Sequence, residues 1–335
     1  MFVAMKIAIV ILNWNGQKLL EQFLPSIIKY SKLKNCTVYV ADNASTDTSI
    51  EFIKNKYKSV QIIQNTKNGG YAKGYNDALK NVDADVFALV NSDIEVTKGW
   101  LQPIIEEFEN NKKTAIIQPK ILDYKNKVFF EYAGAGGGYI DRYGFPFCRG
   151  RIFNYLELDN QQYNNTIDVF WASGACLFIR KEVFDTLEGF DERYFAHQEE
   201  IDLCWRAKNM GYAVKYVGAS TVYHIGGATL EESNPKKAYL NFRNSLFTLT
   251  KNLPRRTLFP VLFIRLMLDG IAAVRFLLQK KPIYTWIILK SHISFYVNLP
   301  RNLKKRTKNN KRNYYYIKSI VWQHFVKGKN KFDEL

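Results

Sequence analysis

Residues 5–12 read Met-Lys-Ile-Ala-Ile-Val-Ile-Leu. So continuous an apolar run, rich in β-branched side chains, cannot divide itself between a wet and a dry face. It predicts a strand buried on both sides, as in the middle of a parallel sheet. Leu19, Leu20, Phe23, Leu24, Ile27 and Ile28 then recur at helical spacing, with Pro25 expected to bend the helix. Further strands are expected over 36–41, 60–64 and 85–90, and helices over 48–56, 71–80 and 98–110. Strands and helices alternating in this way indicate an α/β fold built on a doubly wound, mostly parallel sheet. Beyond Thr114 the alternation breaks down, with a glycine-rich stretch at 134–138 and an aromatic, loop-like one at 139–163. Strands return over 167–172, 175–180, 213–217 and 221–224, and a helix over 199–210.

Charge divides the chain differently. The net charge is +17, yet residues 236–335 hold 22 basic and 3 acidic side chains, and the first 235 hold 26 and 28. A near-neutral globular part thus precedes a basic tail from about Asn234. Such a tail suggests a polyanion, either a membrane surface or nucleic acid. Within it, 258–278 is strongly apolar but contains Arg265, Asp269 and Arg275. At about 100° per residue these charges fall within roughly a third of the helix circumference. A spanning helix rarely carries so many charges, so an amphipathic helix lying in a membrane interface is expected. Residues 301–312, with seven basic side chains in twelve, would follow it as a cationic anchor. Nucleic acid is not the expected partner: the apolar helix would serve no purpose there, and the acidic clusters described below would repel it. The expected organisation is a catalytic domain over 1–233 and a basic helical tail over 234–335. The four cysteines, Cys36, Cys148, Cys176 and Cys204, are widely spaced and read as free thiols. The first 15 residues read as a strand and not a signal peptide, so a reducing cytoplasm is expected.

Four polar clusters fall where an α/β sheet would place a site, at the C-terminal ends of its strands. They are Leu12-Asn13-Trp14-Asn15-Gly16, then Asp42-Asn43-Ala44-Ser45-Thr46-Asp47, then Asn65 to Asn76 with Asn68, Gly69, Gly70, Lys73 and Gly74, then Asn91-Ser92-Asp93. Any one of them could simply cap a helix. Together they suggest a ligand, since carboxylates can bind ribose or base, Trp14 can line a base pocket, and glycines admit the backbone to close approach. The Gly-x-Gly-x-x-Gly dinucleotide pattern is absent after the first strand. A fifth cluster, Glu199-Glu200-Ile201-Asp202 with Arg206, crowds carboxylates at a helix start. The helix end favours their charge while mutual repulsion raises proton affinity. A sixth feature is His224, before Gly226-Gly227.

In this order, the clusters resemble those of glycosyltransferase family 2, in particular its bacterial rhamnosyltransferase-like members. The resemblance runs over about residues 6–231 and also takes in Trp171-Ala172-Ser173-Gly174 and Gly189-Phe190-Asp191-Glu192. It implies a GT-A fold, with a nucleotide-sugar-binding half over about 1–115 and an acceptor half over 116–233. It implies an inverting enzyme that takes a sugar from a UDP- or dTDP-linked donor to a glycan acceptor, and the tail adds the expectation of a polyprenyl-lipid-linked glycan at the inner face of the cell membrane. By position, the donor would meet Leu12, Asn13, Trp14, Asn15, Asp42, Asn43, Asn68, Gly70, Lys73, Asn76, Asn91, Ser92, Trp171 and Gly174. The family's Asp-x-Asp metal motif reads Asn91-Ser92-Asp93 here, so Asp93 and His224 would hold Mn2+ or Mg2+. The base would be Glu200, with Glu199 its rival, and Asp202 would complete the acidic group. No Gln-x-x-Arg-Trp motif is present, which favours addition of a single sugar. The missing motif carboxylate leaves open a catalytically weak nucleotide-sugar-binding relative.

Overall fold

The computed structural model describes residues 5–226, 234–306 and 313–335. The first half builds as its pattern requires. Strands β1 (Ile7–Asn13), β2 (Cys36–Asp42), β3 (Gln61–Gln64) and β4 (Val86–Asn91) are linked by helices α1 (Gln17–Tyr30), α2 (Ser49–Lys56) and α3 (Gly70–Leu79). The strands are parallel, in the order β3-β2-β1-β4. Register sets Asn13 beside Asp42, and Leu12 beside Asn91. Strands running the same way finish at the same edge, so the polar clusters gather there.

The chain continues through β5 (Ile94–Val96), α4 (Gln102–Asn110) and β6 (Thr114–Asp123). Sequence periodicity missed β6 because Gln118 and Lys120 interrupt it. Both side chains are buried in pairs: Gln118 donates to the Gly134 carbonyl at 3.0 Å, and Lys120 lies 2.8 Å from Asp159. Four short strands, β7 (Gly138–Ile140), β8 (Pro146–Cys148), β9 (Arg151–Ile152) and β10 (Tyr155–Leu156), make a separate small sheet within the stretch expected to be loop. Then come β11 (Thr166–Asp168), β12 (Cys176–Arg180), α5 (Lys181–Thr186), α6 (Glu199–Asn209) and β13 (Ala213–His224). The main sheet runs β11-β13-β6-β12-β4-β1-β2-β3, with β5 on β13. β12 is antiparallel to both β4 and β6, so the sheet is parallel in its first half and mixed as a whole. The two strands expected over 213–224 are one, with a register shift between Val217 and Thr221. All four cysteines are free.

The C-terminal part is helical: α7 (Pro235–Asn252), α8 (Leu258–Leu278), α9 (Pro282–Lys304) and α10 (Ile320–Phe325). α7 packs on α6 and α9, so the basic segment is built onto the catalytic body. α8 has the expected bounds, and its charged side is turned to the protein. Arg265 and Asp269 face the protein. Arg265 Nε donates to Asp269 at 3.0 Å, another guanidinium nitrogen to Ser245 Oγ at 2.9 Å, and the group lies over the Phe145 ring. Burial drives this, because a buried charge must be paired and α7 supplies the partner. The apolar side of α8 is left outside. Tyr314 is also inside, stacked on Trp205, and Tyr316 stacks on Phe332. Of the expected cationic anchor, residues 307–312 lie outside the described residues, as does Gly227. Among the described residues no helix is long and apolar enough to cross a membrane.

The Arg265–Asp269 pair tests this packing. Asp269→Ala strands a buried guanidinium and should cost about 3 kcal/mol or more of unfolding free energy in urea denaturation. A change within about 0.5 kcal/mol would mean that the helix does not dock with its charges inward.

Candidate active site

The first three clusters form one hydrogen-bonded floor at the sheet edge. Asn13 Nδ2 donates to Asp42 at 3.1 Å and to Ser45 Oγ at 3.2 Å. Asn43 Nδ2 donates to Asn68 Oδ1 at 3.0 Å and to the Gly70 carbonyl at 3.1 Å. Asn65 Nδ2 ties Asn43 to the Gly74 carbonyl. Asn15, at φ 50°, accepts from the backbone of Thr46. Asn13 Oδ1 is buried and has no partner among the described residues, so the floor keeps an unused acceptor. Trp14 is half exposed above it, able to meet a flat ligand. Leu12 is partly buried against Gly74.

Three expected donor contacts lie elsewhere. Lys73 is paired with Asp77 at 2.8 Å and Glu192 at 3.6 Å. Asn76 uses both ends of its amide on the Phe190 backbone, donating to the carbonyl and accepting from N–H. Trp171 is buried, donates to the Tyr139 carbonyl, and its ring occupies the space where a Gly138 Cβ would stand. Each has its polar groups engaged within the protein. Gly174 does join it: its carbonyl accepts from the Tyr71 hydroxyl at 2.7 Å.

The fourth cluster and His224 meet because β5 pairs antiparallel with the end of β13, setting Ile94 opposite His224. Asp93 Oδ1 comes within 3.2 Å of His224 Nε2. Glu131, which the sequence gave no reason to single out, stands 3.2 Å from Nδ1 of the same ring. Burial opposes a charge on His224, but the carboxylates of Asp93 and Glu131 outweigh it and lift its pKa to about 10. One carboxylate oxygen and one imidazole nitrogen converge, with the second nitrogen held by another carboxylate. A carboxylate and an imidazole so placed are donor types that Mn2+ or Mg2+ accepts. Among the described residues no group of three or more His, Cys, Asp or Glu is set to hold a metal. Glu131 addresses the far side of the ring, so the protein offers two ligands and a cation needs others. Asn91 and Ser92 are half-buried beside this pair, and the Asn91 N–H donates to the Ala175 carbonyl at 2.9 Å.

Glu199 and Glu200 open α6, and each has one carboxylate oxygen that is buried and unpartnered among the described residues. Burial and then its neighbour Glu200 hold Glu199 well above the usual carboxylate range. Burial raises Glu200 to about 7, against hydrogen bonds from backbone N–H groups that pull it down. Both act electrostatically on Tyr71, whose hydroxyl reaches Gly174 at the end of β4, so the acidic pair stands at the same sheet edge as the other clusters. Asp202 differs. It is fully buried and accepts from Arg206, Lys251 and Asn252 at 2.8 Å each, which leaves it holding the helix in place.

The segment before this pair is contorted: Phe195, His197 and Gln198 all have positive φ. It packs on the start of α3, where Gly70 has φ +78° and any Cβ would stand 2.5 Å from the Phe195 carbonyl oxygen. Asn244 of α7 clamps it, its Nδ2 donating to the carbonyls of Tyr194, Ala196 and His197 at 2.8–3.0 Å. Lys251, two turns further along the same face of α7, lies 3.0 Å from Asp191 and 2.8 Å from Asp202. The sequence did carry a signal for these two: a polar and a charged residue on the buried stripe with Leu240 and Phe247.

Comparison with known proteins agrees with this geometry. The family model described as glycosyl transferase family 2 matches residues 8–187, more than half of the chain. The chain belongs to that family and is a glycosyltransferase. It is 25% identical over 219 residues to an N-acetylglucosaminyl-diphospho-decaprenol L-rhamnosyltransferase of Mycobacterium tuberculosis, covering 61% of this chain and 71% of the relative. It is 22% identical to the low-salt glycan biosynthesis hexosyltransferase Agl10 of Haloferax volcanii, covering 82% of this chain and 86% of the relative. Among solved structures, GalNAc-T7 with UDP, GalNAc and Mn2+ aligns with TM-score 0.59 at 16% identity, over 76% of this chain and 49% of that one. The mannosyltransferase PcManGT of Pyrobaculum calidifontis with GDP-Man and Mn2+ aligns with TM-score 0.54 at 12% identity, over 89% and 88%. The fold is therefore GT-A, with a helical C-terminal extension.

Asn244→Ala removes the side-chain donor of the Ala196 and His197 carbonyls, while the Tyr194 carbonyl keeps Arg243 and the Ala196 N–H. It should cost about 2 kcal/mol of stability by urea denaturation, since buried acceptors are left unmet. Glycosyl transfer should fall further than the small loss of folded protein explains. Unchanged turnover would show that the clamp does not set the acidic pair.

Proposed function

We propose that this glycosyltransferase is inverting and metal-dependent, and moves a single sugar from a UDP- or dTDP-linked donor to a glycan or polyprenyl-lipid-linked glycan in cell-surface polysaccharide assembly. The chain would work at the inner face of the cell membrane, held there by its C-terminal helices. The observation that carries the reading is the pair of unpartnered, buried Glu199 and Glu200 oxygens at the sheet edge that also bears Asp93 and His224. The relative from Mycobacterium tuberculosis, whose name specifies a decaprenol-linked acceptor, supports the lipid part, and the UDP and Mn2+ in the GalNAc-T7 structure support the donor and cation.

The chemistry follows from the donors available. Asp93 and His224 would hold a divalent cation, which would supply Lewis-acid stabilisation of the departing diphosphate. The floor formed by Asn13, Asp42, Asn43 and Asn68 orients the nucleoside, with Trp14 against the base. Glu200 accepts the acceptor's hydroxyl proton as the new C–O bond forms at the anomeric carbon. The bond to the diphosphate breaks on the opposite face, and its electron pair leaves with the nucleotide. A carboxylate at about 7 is matched to this work near neutral pH, whereas burial and Glu200 hold Glu199 well above the usual carboxylate range. Asp202 positions both.

Nucleotide release from a panel of sugar donors, with Mn2+ and membrane extract as the acceptor source, tests this. Glu200→Gln should lower turnover by about 100-fold or more. The base must be ionised, so wild-type turnover should rise as pH climbs through about 7, the value to which Glu200 is raised. Asp93→Ala should raise the Mn2+ concentration needed for half-maximal rate at least about tenfold. The assignment fails if both variants turn over as the wild type does, and inversion fails if the product keeps the donor's anomeric configuration.

A further inference from the structure

The outward sides of α8 and α9 contradict their surroundings. α8 turns Arg265 and Asp269 inward and exposes Phe259, Phe263, Ile271 and Leu278, each by 64% or more. α9 packs Ile287, Ser291 and Phe295 inward, with Ser291 Oγ donating to the Tyr239 carbonyl of α7, and exposes Trp286, Ile293 and Val297. Exposed spacings of three and four residues make one stripe along each helix. Contiguous apolar surface of this kind on a folded protein marks an interaction site.

The charges name the occupant. Between residues 253 and 306 the single acidic side chain is Asp269, buried against Arg265 and His292. Exposed basic side chains stand at both ends of the hairpin: Lys280 and Lys281 at its turn, and Arg255, Arg256, Lys304 and Lys305 where it leaves the body; Arg275 and Lys290, exposed between them, reach over the Phe325 and Tyr239 rings. A second copy laid on this face would bring like charges together. An anionic headgroup layer over an acyl interior matches both the stripe and its rim, and Trp286 has the amphipathic ring suited to the boundary.

We infer that the outward faces of α8 and α9 seat the chain on an anionic lipid bilayer, entering one leaflet without crossing it. The inference deepens the proposed function and rests on it for its purpose, since a lipid-linked acceptor is met at that surface. The arrangement is the opposite of an ordinary surface helix: polar contacts hold the hairpin to the protein, and lipid covers its apolar side.

The test uses the full chain and flotation with phosphatidylcholine vesicles, with and without phosphatidylglycerol. Wild type should float with the anionic vesicles. The double variant Phe263→Asp with Ile271→Asp should bind them at least about tenfold more weakly, with an unchanged melting temperature because both side chains are exposed. Lys280→Glu with Lys281→Glu should weaken binding mainly at low salt. The inference is overturned if wild type stays unbound in both vesicle types, or if the aspartate variant floats as wild type does. It is also overturned if light scattering shows a lipid-free dimer that the aspartate variant dissociates while no protein floats, because a second copy then covers the face. Flotation needs neither donor nor acceptor, so a chain that floats but releases no nucleotide sinks the proposed reaction and upholds the membrane face.

Discussion

Asp202 is a carboxylate with no access to water, and a charge in that position must be met from every side. Arg206 meets it from its own helix and also donates to the Leu187 and Gly189 carbonyls. Lys251 and Asn252 meet it from α7, and Lys251 extends the contact to Asp191. Asp191 is held well below the usual carboxylate range: burial works against its charge, and Lys251, Arg301 and Lys305 overcome it. Two buried carboxylates bridged by Lys251 thus fasten the start of α6, the turn before it and two C-terminal helices to each other. The segment 195–198 could not otherwise keep its positive-φ backbone, since strain persists only where the surroundings over-determine it. The placement of Glu199 and Glu200 depends on that fastening.

Much of this site was legible in the residue order. Parallel strands end at one edge, so polar residues directly after apolar runs had to gather, and Asn13, Asp42, Asn43 and Asn68 do. Asp93 and His224 are 131 positions apart, yet Asp93 directly precedes β5 and His224 ends β13, and antiparallel pairing of these strands joined them. Contacts that depend on side-chain direction were not legible. Lys73 and Asn76 lie in the right motif, one and two turns along α3 from its start, and rotation of the helix turns them toward Glu192 and Phe190. Glu131 enters beside His224 through a bridge between Leu122 and Phe130 that no local pattern announces.

The C-terminal region shows how composition can suggest a partner and leave orientation open. Its basic excess and apolar helix were plain in the sequence. Helical periodicity put Arg265 and Asp269 on one side of α8 but could not say which side faced the protein. An isolated helix would keep its charges in water. Here Ser245, the Tyr143 carbonyl and the Phe145 ring offer Arg265 a fully paired interior, so the charged side is drawn inward and the apolar side is displaced outward.

The amino-acid sequence by itself determined the α/β architecture, the sheet edge at which the polar clusters collect, and the family, because these follow from local periodicity and from residue types at fixed spacings. Only the tertiary structure decided which of those residues face a ligand, how the acidic pair is held, and which side of the C-terminal hairpin meets its surroundings. Those outcomes rest on buried charges finding partners far along the chain, and a partner hundreds of atoms distant leaves no mark on local pattern.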